Sequence, residues 1–401
     1  MSIKKQKKIM ILGAGYNQLQ AIKKASQLGY YVITVDYLPD NIGHKFSDHF
    51  IDVSTTDKEG VLGAAKALSI DGIITFASDV AVPTAAYVSE KLDFPGYDTD
   101  VAIKMSNKGD FRKVQHEYEI RQPNFIIGQE LDKIKDGLSG FLSDLVFKPV
   151  DTSGSRGISF VKKNTSNKYE HPFLYAQEYS RSSTVCVEEF IEGIDISGDG
   201  FIVDGKLVFA FFTQKFTNNF LVTGHFLPLN LEESERKLII KEIETNCAAV
   251  GYKNGPINFD VLLTFGEPVV IEMSPRLGGN GIPALIEHNI GIDLTTMSLK
   301  FAMGDLSSIP TCNVLEKSCG SLIFGSNHQG VIKNISSSEK VCETIPEIFK
   351  CIIKYQPGDI IEKFIHGGNS IVHVLFDCST PAHYSEVVNR FFETINLKVL
   401  I

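Results

Sequence analysis

Cysteine is sparse in this sequence and follows no pattern. The 401 residues include seven cysteines, an odd number, and no two of them form a CxxC motif. No cysteine–histidine cluster has the spacing of a zinc site, which argues against a structural zinc domain or a disulfide framework. We therefore expect reduced, mostly buried thiols in a reducing compartment. The cysteines are Cys186, Cys247, Cys312, Cys319, Cys342, Cys351 and Cys378.

Long apolar runs and an excess of positive charge are also missing. No stretch approaches the roughly 18 consecutive apolar residues of a membrane span. The N-terminal run IMILGAG is too short for the core of a signal peptide. The formal net charge is −9, which argues against a general binder of nucleic acid or membrane surfaces. We expect a cytoplasmic protein whose partners are small molecules, with a homodimer as one alternative assembly.

The order of predicted strands and helices divides the chain into three parts. Residues 1–100 alternate apolar strands with helices, which is typical of a Rossmann-like α/β domain with a parallel sheet. Residues 101–305 carry antiparallel strands joined by tight turns, which indicates an α+β architecture. Residues 306–401 are predicted to form a small C-terminal α+β domain. The length is sufficient for two or three domains.

A glycine loop follows the first predicted strand. The run ILGAGYNQ supplies Gly13 and Gly15, but Gln18 stands where a dinucleotide-binding fingerprint has its third glycine. Asp36 ends the second strand, where such folds often contact a ribose. One interpretation is an NAD-dependent dehydrogenase. The other is a tight turn that binds no dinucleotide, although the helix N-terminus behind it could receive an anionic group of another substrate.

The segment GPINFDVLLTFGEPVVIEMSPR predicts a β-hairpin with acidic residues on one face. If its turn is centred on Gly266, Asp260 lies opposite Glu272 and Asn258 lies opposite Ser274. The other face then points to the core and carries Phe259, Val261, Ile271 and Met273.

Two opposed carboxylates about 5 Å apart repel each other, and a divalent cation removes that cost. Mg²⁺ takes one or two carboxylates and completes its shell with phosphate and water oxygens. Asp260 and Glu272 are therefore candidate metal ligands. Arg276, near the same edge, could hold a carboxylate or phosphate. Two alternatives stay open: a solvated hairpin face with unpaired acids, or a register shifted by one residue.

A buried lysine precedes a second glycine loop. Lys148 lies in the apolar strand LVFKP, and a buried lysine requires an anionic partner. The following loop, residues 152–157, lies between two strands, so it is not a Walker A loop, which leads into a helix. We interpret it as a flexible flap that closes over phosphates, with Arg156 adding a charge. Lys108, at the head of a helix, is a second phosphate candidate.

The run VEEFIEGID predicts a strand edge that could receive a flat heterocycle. Its residues Glu188, Glu189, Phe190 and Ile191 offer carboxylates and backbone groups, and Asp195 follows at a distance suited to a ribose hydroxyl. Acidic turns are common, so this run is informative only beside the other motifs.

Taken in chain order, these motifs resemble the ATP-grasp superfamily over nearly the whole chain. The resemblance rests on Lys108, Lys148-Pro149, the flap, residues 188–195, Asp260 and the EMSPR run from Glu272. It implies a Rossmann-like domain, a two-lobed ATP-grasp domain and a small C-terminal domain. It also implies ATP and Mg²⁺ as cofactors, with Mn²⁺ as an alternative metal.

The resemblance assigns a role to each motif. It implies that Lys108 and Lys148 bind ATP phosphates, that residues 188–191 hold adenine and that Asp195 binds the ribose. The flap residues that would cover the phosphates are Ser153, Gly154, Ser155, Arg156 and Gly157.

The resemblance also covers the metal and substrate side of the site. It implies that Asp260 and Glu272 hold metal, with Ser274 in place of the usual asparagine, and that Arg276 steadies the acyl phosphate or its acceptor. Within the branch that includes carbamoyl-phosphate-synthetase-like, purine-pathway and L-amino-acid-ligase enzymes, Lys215 and His225 would lie near the nucleotide or substrate.

The function predicted from this resemblance is a carboxylate–amine ligase that forms an amide through an acyl phosphate and releases ADP and phosphate. A ligase similar to phosphoribosylglycinamide synthetase is the alternative, although the first domain has no strong Arg/Lys cluster for a ribose phosphate. An NAD-dependent dehydrogenase is the third hypothesis, and a non-catalytic nucleotide-binding subunit is the fourth.

Overall fold

The structure is a computed structural model that describes residues 6–163, 169–306 and 317–401. Within these ranges no helix has the length and apolar character needed to cross a membrane. The cysteines that fall in these ranges are free thiols, as expected. Cys312 lies outside the described residues.

The N-terminal part contains a four-stranded parallel sheet, which confirms the strand–helix alternation read from the sequence. Its elements are β1 (Lys8–Leu12), α1 (Leu19–Gln27), β2 (Tyr31–Val35), β3 (His49–Ile51), α2 (Lys58–Leu68), β4 (Gly72–Thr75) and α3 (Val82–Leu92). The strands lie in the order β3-β2-β1-β4. The carboxyl ends of β1 and β4 therefore open toward the same edge, which becomes one wall of the site.

A second, antiparallel sheet of four strands forms a lobe above the site. This region contains α4 (Thr99–Ser106), α5 (Lys108–Glu117), β5 (Phe125–Gly128), α6 (Leu131–Leu138), β6 (Leu145–Pro149), β7 (Ser159–Val161), α7 (Glu170–Tyr179) and β8 (Val185–Glu189). The strand order is β5-β8-β6-β7. The flap connects β6 to β7, as predicted, and the hinge segment (residues 188–195) leaves from β8.

The rest of the central region supplies long strands and the helix behind them. Its elements are β9 (Ile194–Val203), β10 (Lys206–Asn218), β11 (Leu221–Leu227), α8 (Glu233–Val250), β12 (Gly255–Thr264), β13 (Glu267–Ser274), α9 (Ile282–Ile290) and α10 (Leu294–Ala302). The strand β11 was not predicted. Its residues VTGH interrupt the alternation of apolar and polar side chains that indicates a strand, and its pairing with β10 is visible only in the fold.

The C-terminal part is not separated from this region by a break in the sheet. It contains β14 (Cys319–Phe324), β15 (Gly330–Asn334), α11 (Ser338–Thr344), β16 (Ile348–Ile353), β17 (Ile360–Ile361), β18 (Val372–Asp377), α12 (Pro381–Thr394) and β19 (Lys398–Leu400). The large sheet runs β13-β12-β9-β10-β11-β14-β18-β16. The α/β and α+β architecture is thus confirmed, whereas the predicted boundary at residue 306 stays a prediction.

The core beneath the site packs the hairpin β12–β13 against α8. Phe259 and Met273 are buried there with Ile243 and Cys247 of the helix. Gly198 on β9 makes this packing feasible, since a Cβ at that position would lie 2.5 Å from the Phe259 ring. Burial of this apolar set contributes about 25 cal/mol per Å² removed from water. It fixes the opposite face of the hairpin toward the cavity.

Candidate active site

The acidic hairpin has the predicted pairing at its functional end. Asp260 lies opposite Glu272, and Asn258 lies opposite Ser274. The turn, however, is not centred on Gly266. Its two central residues, Phe265 and Gly266, have φ of 50° and 79°, which gives a two-residue turn of the type I′ class.

An irregularity after Asp260 restores the predicted register. Val261 pairs with Val270 instead of Ile271, so one strand carries an extra residue. The expectation that Ile271 points to the core is therefore wrong: it lines the cavity with Glu272. Val270 takes the core position, where it is fully buried. The bulge was invisible in the sequence because both residues are β-branched and apolar.

The hairpin faces a large cavity of about 1500 Å³. Its walls come from the N-terminal sheet edge, the small antiparallel lobe, the large sheet and the C-terminal part. Every predicted site residue lines it except Gly157 and Ser274. Gly157, the last residue of the flap, packs against α7 instead, where a Cβ would lie 2.9 Å from Tyr179 Cβ. Ser274 is buried, so the structure does not bring it to the cavity wall with the two carboxylates.

The two carboxylates are each paired with a lysine. Asp260 Oδ2 lies 3.0 Å from Lys215 Nζ, and Asp260 Oδ1 accepts a hydrogen bond of 2.7 Å from Ser197 Oγ. Glu272 Oε1 lies 3.2 Å from Lys108 Nζ. Burial would raise the pKa of Asp260, but the Lys215 charge together with the hydrogen bonds from Ser197 and Lys215 outweighs it, so the pKa is lowered. Asp260 is therefore held as an oxygen anion, and both acidic side chains face the cavity.

The lysine predicted to bind phosphate has a carboxylate partner of its own. Lys148 Nζ lies 2.6 Å from Glu188 Oε2 on the neighbouring strand. Arg112 Nε donates to Glu188 Oε1 at 2.9 Å, and this arginine is fully buried. Burial would raise the pKa of Glu188, but the charges of Arg112 and Lys148 lower it to about 2. The pair thus positions Lys148 at the cavity wall before any ligand arrives.

Arg112, which positions Glu188 from behind the cavity wall, was missed by sequence reasoning. It follows Lys108 by four residues on α5, so both side chains lie on one face of the helix. Its guanidinium also donates to the backbone oxygen of Ile271 at 2.8 Å. The available signal was a second cation at helical spacing from a predicted phosphate lysine.

The flap contacts the opposite wall of the cavity at both ends. Lys108 Nζ donates to Thr152 O at 2.7 Å. Ser155 Oγ donates to Phe220 O at 2.8 Å, in the turn between β10 and β11. The Gly367 N–H donates to Gly154 O at 3.0 Å, in the C-terminal part. The flap is therefore closed in this structure.

The hinge segment lies at the aromatic end of the cavity. Glu189 is turned outward, where its carboxylate accepts from Asn124 Nδ2 at 2.7 Å. Phe190 contacts Phe160 of β7, with ring centroids 5.1 Å apart, and Phe220 at 6.2 Å. Three phenylalanine rings thus make this end apolar, which suits a flat heterocycle better than a charged group.

Lys215 and His225 lie side by side on β10 and β11. Lys215 Nζ lies 2.9 Å from Asp195 Oδ1 as well as near Asp260, so it bridges two acids. His225 is buried with Nδ1 3.0 Å from Thr213 Oγ1. Burial and the Lys215 charge lower the pKa of His225 to about 3, so the ring is neutral near pH 7.

Arg276 is fixed by two partners. Its guanidinium bonds to Asp79 at the N-terminal sheet edge, and Nη1 donates to Asn258 Oδ1 at 2.8 Å. Asp79 was another missed residue, in the run FASDV after β4. Burial would raise its pKa, but Arg276 and other partners keep it lowered. The arginine is thereby held at the cavity wall between two parts of the fold.

Hydrogen bonds to nearby side chains occupy the backbone of the first glycine loop. Gln18 Oε1 accepts from the Gly15 N–H at 3.1 Å, and Gln18 also donates to Phe76 O. A Cβ at Gly13 would lie 3.1 Å from the Gln18 side chain. Asp36 Oδ2 accepts from the Ala14 N–H at 2.9 Å. The groups that would bind a dinucleotide are thus engaged within the loop, which favours the tight-turn interpretation.

Comparison with known proteins accounts for this geometry. The profile of the ATP-grasp domain matches residues 106–280, which include the lysines, the flap, the hinge segment and the acidic hairpin. These residues form an ATP-grasp domain. The prediction made from the motif order is thereby confirmed, together with the general class of an ATP-dependent ligase and the general use of ATP and Mg²⁺.

Solved structures share the fold over nearly the entire chain. An L-amino acid ligase from Bacillus licheniformis has a TM-score of 0.82 at 19% identity, covering 99% of this chain and 100% of that one. A phosphoribosylglycinamide synthetase from Anaerococcus prevotii has a TM-score of 0.75 at 20% identity, covering 98% and 100%. A biotin carboxylase domain from Hydrogenobacter thermophilus, in complex with MgADP, has a TM-score of 0.75 at 14% identity, covering 98% and 91%.

Proposed function

We propose that this ATP-grasp ligase joins a carboxylate to an amine through an acyl phosphate and releases ADP and phosphate. The observation that carries the proposal is the pairing of Asp260 with Glu272 on the wall of a cavity that also contains Lys108, Lys148 and the flap. A nucleotide-binding protein with no catalytic role would not need two carboxylates opposed at this position.

The donor set of the hairpin is suited to magnesium. Asp260 and Glu272 present hard oxygen donors that lie opposite each other on the hairpin, and Mg²⁺ prefers one or two carboxylates together with phosphate oxygens. These two side chains would hold the metal, whose contribution is to neutralise charge on the phosphates. Mn²⁺ could serve in the same place because it accepts the same oxygen donors. Ser274 contributes only if the wall rearranges.

The residues of the phosphate end act by position and charge. In our proposal Lys108 and Lys148 bind the phosphates, and the flap N–H groups stabilise charge that spreads over the transferred group. Arg276 orients the attacking carboxylate, because Asp79 and Asn258 fix its guanidinium. The closed flap excludes water that would hydrolyse the acyl phosphate. Little acid–base chemistry is required for this step.

The adenine and ribose assignments have different support. The ring of phenylalanines beside residues 188–191 supports adenine binding at the hinge segment. Asp195 is assigned to the ribose, and this requires it to share Lys215 with Asp260. His225 is a weak base in its present environment. We therefore assign it a hydrogen-bonding role rather than proton transfer from the amine.

Two classes of amine acceptor are consistent with the proposal. The similar L-amino acid ligase favours an amino acid, and the similar phosphoribosylglycinamide synthetase favours a phosphorylated ribosylamine. Both reactions use a carboxylate, an amine and ATP. We further propose a cytoplasmic location, in keeping with the free thiols, and a homodimer as one assembly to test.

The proposal is tested by ADP release from Mg·ATP over a panel of amino acids and phosphorylated ribosylamines. We expect release that depends on both a carboxylate and an amine, with a stoichiometric amide product. Addition of NAD should change nothing. ADP release that is insensitive to every amine, or a nicotinamide requirement, would overturn the proposal.

A further inference from the structure

One cation on the cavity wall has no place in the chemistry above. Lys354 follows β16 in the C-terminal part and lines the cavity beside Tyr355. Its ammonium lies 6.0 Å from the ring centre of Tyr16, in the first glycine loop. Lys354 therefore lies where the C-terminal part and the N-terminal sheet edge meet, and not on the aromatic hinge wall.

Lys354 differs from the other cavity lysines in its partners. Lys108, Lys148 and Lys215 each have a carboxylate oxygen within 3.2 Å. Among the residues that the structure describes, Lys354 has no carboxylate within 4.0 Å. Its bond is to a neutral hydroxyl, Ser370 Oγ, at 2.5 Å. Burial without a counter-charge lowers the pKa of Lys354 to about 8.

The ammonium is held in place from behind. Ser370 is fully buried, and its hydroxyl lies 2.8 Å from Gly367 O and 2.9 Å from His373 Nε2. The backbone at Gly367 in turn donates to the flap at Gly154. The Lys354 side chain is thus bonded to the segment that leads into β18 and lies near the contact between the C-terminal part and the closed flap. A solvent-facing lysine would not need such a support.

We propose that Lys354 binds an anionic group of the substrate, a carboxylate or a phosphate, that takes no part in the bond-forming step. A partly desolvated cation without a counter-ion gains most from a ligand that brings the missing negative charge. A neutral group at this position would leave the ammonium unpaired. The inference rests on the proposed function, since it assigns the substrate of the same cavity a charged group remote from the nucleotide.

The direct test is binding of simple anions to the full chain with its nucleotide site occupied by Mg·ADP. Inorganic phosphate and acetate are titrated separately by calorimetry, which distinguishes a phosphate site from a carboxylate site. We expect saturable binding of one of them, at least tenfold weaker in Lys354→Met. The control is Lys350→Met, which removes a half-buried lysine from β16 outside the cavity lining. It should bind the anion as the unmodified protein does.

A second variant covers the case in which Lys354→Met fails to fold. Ser370→Ala keeps the lysine charge and removes its support, so we expect an intermediate loss of anion affinity with unchanged Mg·ADP binding. The inference is overturned if neither anion shows saturable binding, or if both variants bind the anion as tightly as the unmodified protein does. Failure of Mg·ADP to bind would count against the proposed function instead, because that titration is measured first and does not involve Lys354.

Discussion

The two ends of the cavity compensate their charges differently. At the phosphate end, Lys108 and Lys148 are paired with the acids Glu272 and Glu188 within the protein. At the end formed by the C-terminal part, Lys354 is bonded to a hydroxyl instead. The same residue type is therefore placed in two electrostatic settings within one cavity.

The difference indicates what each end is prepared to receive. A lysine held by a carboxylate is already positioned, and a bound phosphate can share it without a large change in net charge. A lysine without a carboxylate partner favours a ligand that carries its own negative charge. The first end thus suits Mg·ATP, where metal and phosphates arrive together, and the second suits a free anion.

The largest effect is expected from removing a carboxylate at the phosphate end. Asp260→Asn keeps the size of the side chain but removes a charged oxygen that would hold metal, and it leaves Lys215 with Asp195 alone. We expect ADP release to fall by at least about a thousandfold, in line with the loss of preorganised electrostatic stabilisation. Steady-state kinetics at saturating Mg·ATP measures this.

The matched control for Asp260→Asn lies on the same hairpin. Glu267→Gln removes an exposed carboxylate near the turn, which is 3.7 Å from Arg121, and should leave ADP release unchanged. If both variants kept the original rate, the hairpin would not be the metal-binding element and the comparison of the two ends would lose its basis.

The second prediction removes the carboxylate partner of Lys148, so that this lysine lacks a counter-charge as Lys354 does. Glu188→Gln removes the acid between Arg112 and Lys148 and leaves two buried cations uncompensated. We expect the free energy of unfolding to fall by about 3 kcal/mol, the range for breaking one side of a buried ion pair. Urea denaturation at pH 7 measures this, and Glu192→Gln, an exposed neighbour, serves as the control.

The free energy of unfolding at acidic pH provides a second test of Glu188. The folded-state pKa of Glu188 is lowered to about 2 from 4.5. Its stabilisation is therefore present above about pH 4.5 and is lost as the pH falls through about 2. The stability of the Gln variant should depend less on pH across that window, and equal slopes would contradict the assigned pKa.

Much of this site could be predicted because its motifs are local. The pairing of Asp260 with Glu272 follows from strand alternation across one hairpin, and Lys148, the flap and the hinge segment lie in short runs. The family assignment came from their order. Even so, the prediction for the hairpin contained two opposing errors, a turn centred half a residue too late and a missed bulge at Ile271, and they cancel at the pair of Asp260 and Glu272.

The rest depends on contacts that no short run of sequence records. The partner of Arg276 is Asp79, 197 residues away, and Lys148 meets Arg112 only through Glu188. Lys354 stands in the run IIKYQ without any motif. Its importance comes from the absence of a carboxylate beside it among the described residues, which is a property of the folded surroundings and not of its neighbours in sequence.

The third prediction concerns the acid that supports Arg276 from beneath. Asp199 is fully buried and accepts from the Gly278 N–H at 2.8 Å and from Asn258 Nδ2 at 3.0 Å. Burial raises its pKa to about 7 from 3.8, despite these bonds. Between about pH 4 and about pH 7 the folded state therefore holds a proton that the unfolded state has lost. The contribution of Asp199 to the free energy of unfolding falls as the pH rises through this range.

Asp199→Asn removes this titration. Relative to the variant, the unmodified protein should lose about 2 kcal/mol between pH 4 and pH 7, less than the about 4 kcal/mol that the full pKa shift would give if the surroundings could not relax. Thermal or urea unfolding across that range measures the difference. Asp132→Asn, at an exposed position of α6, is the control and should follow the unmodified protein.

The smallest effect is expected in the first glycine loop, beside the end that holds Lys354. Gln18→Ala removes the bonds from Gln18 to Gly15 and Phe76. We expect a loss of about 1 to 2 kcal/mol in unfolding free energy, as for an unsatisfied buried polar group. Gln27→Ala, exposed on the same helix, should cost much less.

The KM for Mg·ATP should not change in either variant, and no affinity for NAD should appear, because the loop is shaped by its own side chains. A rise in the KM for Mg·ATP in Gln18→Ala alone would place the nucleotide phosphates at the first loop, and the assignment of the phosphate end to the flap would then be wrong.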